Sequence, residues 1–551
     1  MKTIYLSLLT LALAFQAFAV EAPELKIAVV QEWNQLNPVT LSLASTEAFL
    51  PFVVRGLIER DSKGTVIPDL AEQVPTKANG RVQILTTNGR RQVVARWTLK
   101  SAAQWGDGQP VTCKDWWTSW QVGLHPNVVT LEKTIYTKIE KIEWSPDKPK
   151  DCKVTYANDD WTFDRDLPKP LPAHLEEAVF EKWKSQPQAY EQNSLYVKEP
   201  TLKGLYDGPY VVEQYSIGSH FVMTKNPHFY GQAPQISRVL VKHIGETSTL
   251  KAHLQTGEIN MISAVGFPPD LAMLLSSDFD KESSTSRVVF LDSPLYQGLF
   301  LNTENEILKD LRVREALWKA IDKVELTKAF FQGRLKPAET FLPPQNPAFH
   351  EHGPTYSIAG AKKILDEAGW KLNAQGLRVK DGKTLNVEFR TSAGIKILET
   401  IQTYICAQFL KVGAQCVVKN QPPRVFLGDS VPHGDFMIAM FGQSIYPDAS
   451  LRGTFSSTEI PSKENAWTGQ NSTRFRNAEL DKKLKDFDHE WDSTKREAMV
   501  REMEKILLRE KPFIPIYHRR EAVVLPRKLE GFQADISGTD FIFPENYKLE
   551  K

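Results

Sequence analysis

The sequence predicts an α/β fold built as more than one lobe, and three observations carry that reading. Apolar residues alternate at period two in some stretches and recur at three and four in others. A β-α-β rhythm occupies residues 384–420. The chain of 551 residues exceeds what one ordinary core organises and leaves room for two or three. No internal repeat or low-complexity tract is visible, which sets aside solenoids and disordered arrays.

The N-terminus sets the compartment before the fold begins. Lys2, an apolar run from Ile4 to Phe15 and the small-x-small "AFA" at Ala17 to Ala19 have the layout of a cleavable leader. Residues 1–19 are therefore expected to be removed, with the mature chain starting near Val20. The apolar run is shorter than the ~20 residues a spanning helix needs, and no later segment reaches that length, so no membrane anchor is expected. No cysteine stands at the cleavage point, which favours a free protein of a Gram-negative periplasm over a lipid-anchored one.

Along the mature chain, "LKIAVV" (25–30) reads as a short apolar strand. "ARWTLK" (95–100) alternates Ala95, Trp97 and Leu99 against Arg96, Thr98 and Lys100, the period of a half-buried strand. "WGDGQPVT" turns the chain and "CKDWWTSWQ" opens a helix. Asp310 can cap a helix with the apolar stripe Val313, Ala316, Leu317, Ala320, Ile321 and Val324. A second helix follows Ser357, turns Ala361, Ile364, Leu365 and Ala368 inward and stops at Gly369. Strands "TLNVEFR" (384–390) and "AQCVVKN" (414–420) flank a helix near 395–411. "FMIAMFGQSIYPD" (436–448) is a buried strand running into a glycine and a polar tip, with no carboxylate until Asp448.

The 68 basic and 67 acidic side chains nearly cancel and form no long run of one sign, which argues against a nucleic-acid footprint or a basic membrane face and points to a peptide or small-molecule partner. Four cysteines in an exported chain imply disulfides, with three connectivities open. Cys113 with Cys152 and Cys406 with Cys416 are preferred, because these short-range pairs staple neighbouring elements. The spacing is not CxxC, and the lone "HEH" at His350 to His352 sits in a Pro-rich loop without further ligands nearby, so neither a metal site nor a cofactor is expected. GxSxG, HExxH, GxxxxGK[ST] and a GxGxxG after a strand are all missing. The doublets Asp159–Asp160 and Glu176–Glu177 read as solvated faces.

A distributed pattern remains. "RWTLKSAAQWGDGQPVTCKDWWTSW" (96–120), the "GPY…NPHFY…P…GEIN" block (208–261), "FLNTENEILKDLRVREALWKAIDK" (300–323), "AKKILDEAGW" (361–370), "TRFRNAELDKKL" (473–484) and "PFIPIYHRREAVVLPRKLEGF" (512–532) follow one another in order. Together they resemble the OppA-type oligopeptide and dipeptide solute-binding proteins, extracellular family 5, over nearly all of the mature chain. Most of these residues read as scaffold: Asp107-Gly108 and Gly208-Pro209 as backbone devices, Trp97 as core, Arg312 and Arg314 as ion pairs.

The resemblance implies a two-lobed periplasmic binding protein with an extra subdomain in the first lobe and a hinge between lobes. Lobe I would be discontinuous (20–50, 190–290 and 500–551), with the subdomain at 51–189 and lobe II at 291–499. The implied function is that of a monomeric receptor, not an enzyme, which captures peptides or peptide-sized solutes and delivers them to the permease subunits of an ABC importer. The alternatives are the same fold binding a metal complex, haem, sugar or other small solute, an exported hydrolase, and a signalling protein with a membrane partner.

In the peptide-binding members the strand matching 436–441 leads to W-x-x-D, whose Asp accepts the ligand's α-ammonium. Matching Phe441 to that Trp puts Ser444 at the Asp position, and matching "YPD" to the family's Y-x-D puts Ile445 there. Neither is an acid, and burying an unpaired ammonium costs several kcal/mol, so either Glu32 or Asp448 serves or the ligand lacks a free amine. The candidate ligand-binding residues are Glu32, Trp33 and Asn34 after the first strand, with Phe441, Gly442, Gln443, Ser444 and Asp448; the "DWWTSW" tryptophans read as helix core. Ser444→Asp is expected to raise affinity for peptides with a free N-terminus. Calorimetry across a peptide panel checks this, and unchanged affinity would remove the idea that this position has turned away from amine recognition.

Overall fold

The computed structural model describes residues 23–40, 43–87, 89–130, 133–279, 284–447, 449–465, 467, 469–536 and 541–550. The expected leader and Asp448 lie outside them. Fourteen strands build the two main sheets: β1 (Glu24–Val29), β2 (Val82–Thr87), β3 (Arg90–Thr98), β4 (Ile139–Ser145), β5 (Lys148–Tyr156), β6 (Tyr210–Ser216), β7 (His220–Lys225), β8 (Arg238–His243), β9 (Met261–Ile262), β10 (Ser286–Leu301), β11 (Asn386–Arg390), β12 (Gln415–Val418), β13 (Ile438–Ser444) and β14 (Phe513–Pro526). Ten of them form one mixed sheet in the order β12-β11-β13-β10-β14-β9-β1-β8-β7-β6. The antiparallel sheet β2-β3-β5-β4 stands apart from it.

Local chemistry explains the helices that matter here. α1 (Cys113–Leu124) starts where Asp115 accepts hydrogen bonds from Thr112 N at 2.7 Å and Thr112 Oγ1 at 2.9 Å. α2 (Ala173–Trp183) carries Glu176. Asp310 caps α3 (Leu311–Ala320) by accepting from Arg312 N at 3.0 Å. α3 ends at Ala320 and Asp322 caps a new helix, α4 (Lys323–Phe331), so Val324 falls outside the expected stripe and is 53% exposed. Ser357 caps α5 (Ile358–Glu367), and Gly369 ends its turn at φ +86°. α6 (Lys396–Lys411) crosses between the parallel strands β11 and β12. α7 (Ala478–Asp488) and α8 (Ser493–Glu510) form a pair near the C-terminus.

Four expectations change once the chain is folded. Arg314 is buried and, rather than pairing with an acid, donates to the carbonyls of Glu510, Leu308 and Lys309. Glu176 is fully buried, accepting from Tyr190 Oη, Ser194 Oγ and Leu195 N. Asp159 is buried beside Arg91 at 3.0 Å, so neither doublet is a solvated face. The expected boundary at 499/500 cuts α8, whose Val500, Met503, Ile506 and Leu507 pack with Phe513 in one core.

The largest core joins β1, β6, β7 and β8 with the four-stranded sheet, α1 and the last strand turn of the chain. Two further cores lie on the two faces of β10 and β13: Leu299, Leu301, Ile438 and Met440 pack with α3 and α6, whereas Tyr296, Phe300 and Ile445 pack with α7 and α8. β10 and β14 thus belong to both halves of the sheet. Their register breaks between Asp292 and Tyr296 and again between Gln297 and Gly298, irregularities of the kind that bend a strand.

At this break His518 is 5% exposed, and its Nδ1 has no hydrogen-bond partner among the described residues. Burial, with Lys336 and Lys323 adding, pushes its imidazole down from 6.5 to about 4. The unfolded chain takes up a proton near pH 6.5 that the folded one refuses until about 4. Stability present above pH 6.5 is therefore expected to fall by about 3 kcal/mol as pH drops through that window. Urea denaturation across it should show the slope, and His518→Phe should flatten it.

The structure bonds Cys113 to Cys152, tying α1 to β5, and Cys406 to Cys416, tying α6 to β12. The loops enclosed span 39 and 10 residues, so chain entropy predicts a loss of about 4 kcal/mol on removing the first bond and about 3 on removing the second. Denaturation of the two double Cys→Ala variants tests that order.

Candidate functional site

The site grows out of β13. Phe441 stacks on Phe300 at a centroid distance of 4.0 Å, which fixes the strand against β10 and sets which way its backbone faces. Ile445 N donates to Pro294 O at 3.0 Å on the β10 side. Alternate residues of an antiparallel strand turn to opposite sides, so Phe441 and Gln443 bond toward β10, while Met440, Gly442 and Ser444 turn N–H and C=O the other way. Met440 O indeed accepts from Thr391 Oγ1 at 3.0 Å on that outer side.

β11 covers only the start of this outer edge, pairing Phe389 with Ile438 and Arg390 with Ala439. Past Ala439, among the described residues, no strand pairs with β13 on this outer side, so Gly442 and Ser444 meet a main chain only across from Gln297 and Leu295 of β10. The half-buried residues 441–444 thus offer two outward-turned peptide units on an uncovered edge, a template for one more strand. Where a Gly442 Cβ would stand, Leu295 Cδ2, Arg519 Nη1 and Gln297 Oε1 lie at 3.1, 3.6 and 3.7 Å. Any side chain there would crowd a face that already carries a cation.

Three cavities share lining residues with one another. One of ≈ 260 Å³ is lined by Glu47, Glu59, Arg60, Asp166, Lys169 and Asp535. A second of ≈ 460 Å³ takes Lys138, Asp160 and Arg165 from one side and Ser450, Arg452 and Glu459 from the other, sharing Ile135 and Asp166 with the first. Asp535 also lines a third, ≈ 800 Å³, against β10 and β14. Charges of both signs face one another here: Arg60 meets Asp166 at 2.9 Å and Arg452 meets Glu459 at 3.8 Å. Burial pushes the Asp160 and Asp488 carboxyls up from their ordinary values. Beside the register break of β10 and β14 a further cavity of ≈ 370 Å³ gathers Arg334, Lys336, Arg519 and Arg520 against Asp292.

Aromatic and ionic contacts hold the subdomain against lobe II beside the second cavity. Phe163 stacks on Trp491 at 5.6 Å, Trp161 meets Phe487 edge-on at 5.7 Å, and Lys77 lies 3.9 Å over the Trp491 ring. Asp159 accepts from both sides, with His489 Nδ1 at 2.9 Å through its carboxylate and Trp491 Nε1 at 3.0 Å through its carbonyl.

The residues singled out from sequence fall in different places. Glu32 is exposed, its carboxylate over the Gly218 turn. Trp33 is 1% exposed and packs edge-on against Phe221 at 5.0 Å, so it serves the core rather than the cleft. Asn34 Oδ1 accepts from Gln35 N and Thr46 Oγ1, shaping its own loop. Phe441, Gly442, Gln443 and Ser444 are brought together on one strand. None of the seven described residues lines these cavities. Arg452, Arg60 and Asp166, which do, carried no local pattern in the sequence, although Ser450 and Arg452 follow the "YPD" tip closely enough for the tip to have indicated them.

Comparisons with known proteins place this geometry. The family model for the bacterial extracellular solute-binding proteins, family 5 Middle, matches residues 65–462, more than half of the chain. The oligopeptide-binding protein AppA of Bacillus subtilis is 23% identical over 446 residues, spanning 79% of this chain and 77% of that protein. Its structure in complex with a nonapeptide superposes with a TM-score of 0.72 at 21% identity, covering 96% of this chain and 99% of that one. NikA from Brucella suis in complex with Fe(III)-EDTA gives 0.75 at 20% identity over 96% and 100%. At these identities the superpositions show a shared fold.

Proposed function

From the premise that this chain belongs to family 5 of the bacterial extracellular solute-binding proteins, we propose that it captures peptides between its lobes in the periplasm and hands them to the permease of an ABC importer, without turnover. The observation that carries the peptide reading is the uncovered edge of β13. An extended peptide laid along Gly442 and Ser444 gains main-chain hydrogen bonds whatever its sequence. Side chains of such a ligand can be held among water and mixed charge, so that no single side chain is demanded. Both lobes touch such a ligand only when they close over it, so binding shifts the population toward the closed form by that differential affinity. Within this reading the lobe boundaries fall at the first register break, near Asp292 on β10 and His518 on β14. The ammonium acceptor is one of the acids lining the first cavity, Asp166 or Glu59, or else Glu32, while Asp448 lies outside the described residues.

A second reading, a small anionic solute, has its own support in the cationic cavity beside that register break, where Arg334, Lys336, Arg519 and Arg520 outnumber Asp292. Native mass spectrometry of the protein purified from its periplasm separates the two, because denaturation releases either a set of short peptides or one non-peptide mass. Ser444→Pro deletes one outward N–H and leaves the bonds to β10 intact. It is expected to weaken peptide binding about tenfold, the worth of one hydrogen bond, with unchanged thermal stability. Unaltered peptide affinity in calorimetry would remove the added-strand mode.

A further inference from the structure

The "HEH" loop acquires a third ligand through the fold. Glu504, on α8 and 152 residues away from His352, faces both histidines: His352 Nε2 lies 3.2 Å from Oε1 and His350 Nδ1 lies 3.5 Å from Oε2. The three ligand atoms lie within 4.8 Å of one another, and the imidazole centroids are 4.2 Å apart. Two ligands bound at about 2.1 Å to one ion with a tetrahedral angle stand about 3.4 Å apart, so the observed spacings need little adjustment.

The carboxylate itself points to a cation. Its side chain is 1% exposed, and Oε2 is buried without a hydrogen-bond partner among the described residues, a costly state for an ionised group. Thr340 Oγ1 donates to Oε1, which orients the carboxylate and leaves Oε2 turned to His350, as groups around a metal ligand do. The loop is held in place as well: Asn346 Oδ1 accepts from Ala348 N at 2.9 Å, and Trp318 Nε1 donates to Thr355 Oγ1 at 2.7 Å beyond the second histidine. His350 is 47% exposed on its side chain, so an ion can enter from solvent and keep water in its remaining positions.

We propose that His350 Nδ1, His352 Nε2 and Glu504 Oε2 bind one divalent transition-metal ion of the Zn²⁺ class on lobe II, apart from the solute cleft, and thereby pin the 337–357 loop to α8. Two imidazoles and one carboxylate suit Zn²⁺, Ni²⁺ or Cu²⁺, whereas Mg²⁺ and Ca²⁺ prefer oxygen alone. The other grouping of this kind, Asp159, Asp160 and His489, has Arg91 at 3.0 Å from Asp159, a cation already in place.

The test is calorimetric titration of ZnCl₂ into the tag-free mature protein, stripped with chelator and free of solute, with Co²⁺ absorption as a second probe of coordination. One equivalent of Zn²⁺ is expected. His350→Ala and His352→Ala, each checked for folding by circular dichroism, should lose more than the roughly 100-fold that removal of a supporting group can cost. Glu504→Gln should do the same, and if that variant fails to fold, the surface variant His350→Ala decides. No uptake by the parent protein, or unchanged affinity and stoichiometry in both histidine variants, would overturn the site.

Discussion

Two strands that serve both lobes constrain everything else in this protein. β10 and β14 pair over most of their length, from Ser286–Pro526 to Phe300–Phe513, and the ten-stranded sheet is continuous only through them. The ladder between them is irregular at Asp292–Tyr296, a break of the kind that bends a strand, and it is regular on either side. The open edge of β13 follows from the same arrangement. β13 is held on one side by β10, and β11 gives out after Arg390, so the strand nearest the break keeps an outward row of peptide groups on an uncovered edge.

Interior charge is handled by pairing rather than exclusion. Arg55, fully enclosed, meets Asp69 at 3.2 Å and Glu545 at 2.6 Å, while its main-chain N donates to Asp207 at 2.9 Å. The C-terminal segment is thereby fastened to the start of the subdomain. Burial pushes the Asp207 carboxyl up to about 7 and pulls the Lys323 amine down to about 8 against Glu339. Such pairs add little net stability over apolar packing, but breaking one is costly, so each keeps the elements it joins in one arrangement. Glu504 departs from the pattern, with an oxygen left over and two imidazoles facing it.

Much of the framework was legible in the residues. The caps at Asp310 and Ser357, the stop at Gly369, the alternation in "ARWTLK" and the β-α-β rhythm of 384–420 are local signals, and local hydrogen bonding and period set those elements. The short-range cysteine pairs were legible for the same reason. Val324 and Arg314 were misjudged because their roles depend on where α3 stops and which carbonyls α8 presents. Trp33 looked like a binding residue and became core because β7 places Phe221 against it.

The sequence by itself determined the α/β class, the order of elements and the family resemblance, because each depends on contacts between residues close in the chain or on an ordered series of blocks. The tertiary structure alone decided which charges line the cavities, that Gly442 and Ser444 face outward on an unpaired edge, and that Glu504 meets His350 and His352. Those juxtapositions join residues more than a hundred positions apart or depend on strand register, and no local pattern encodes either.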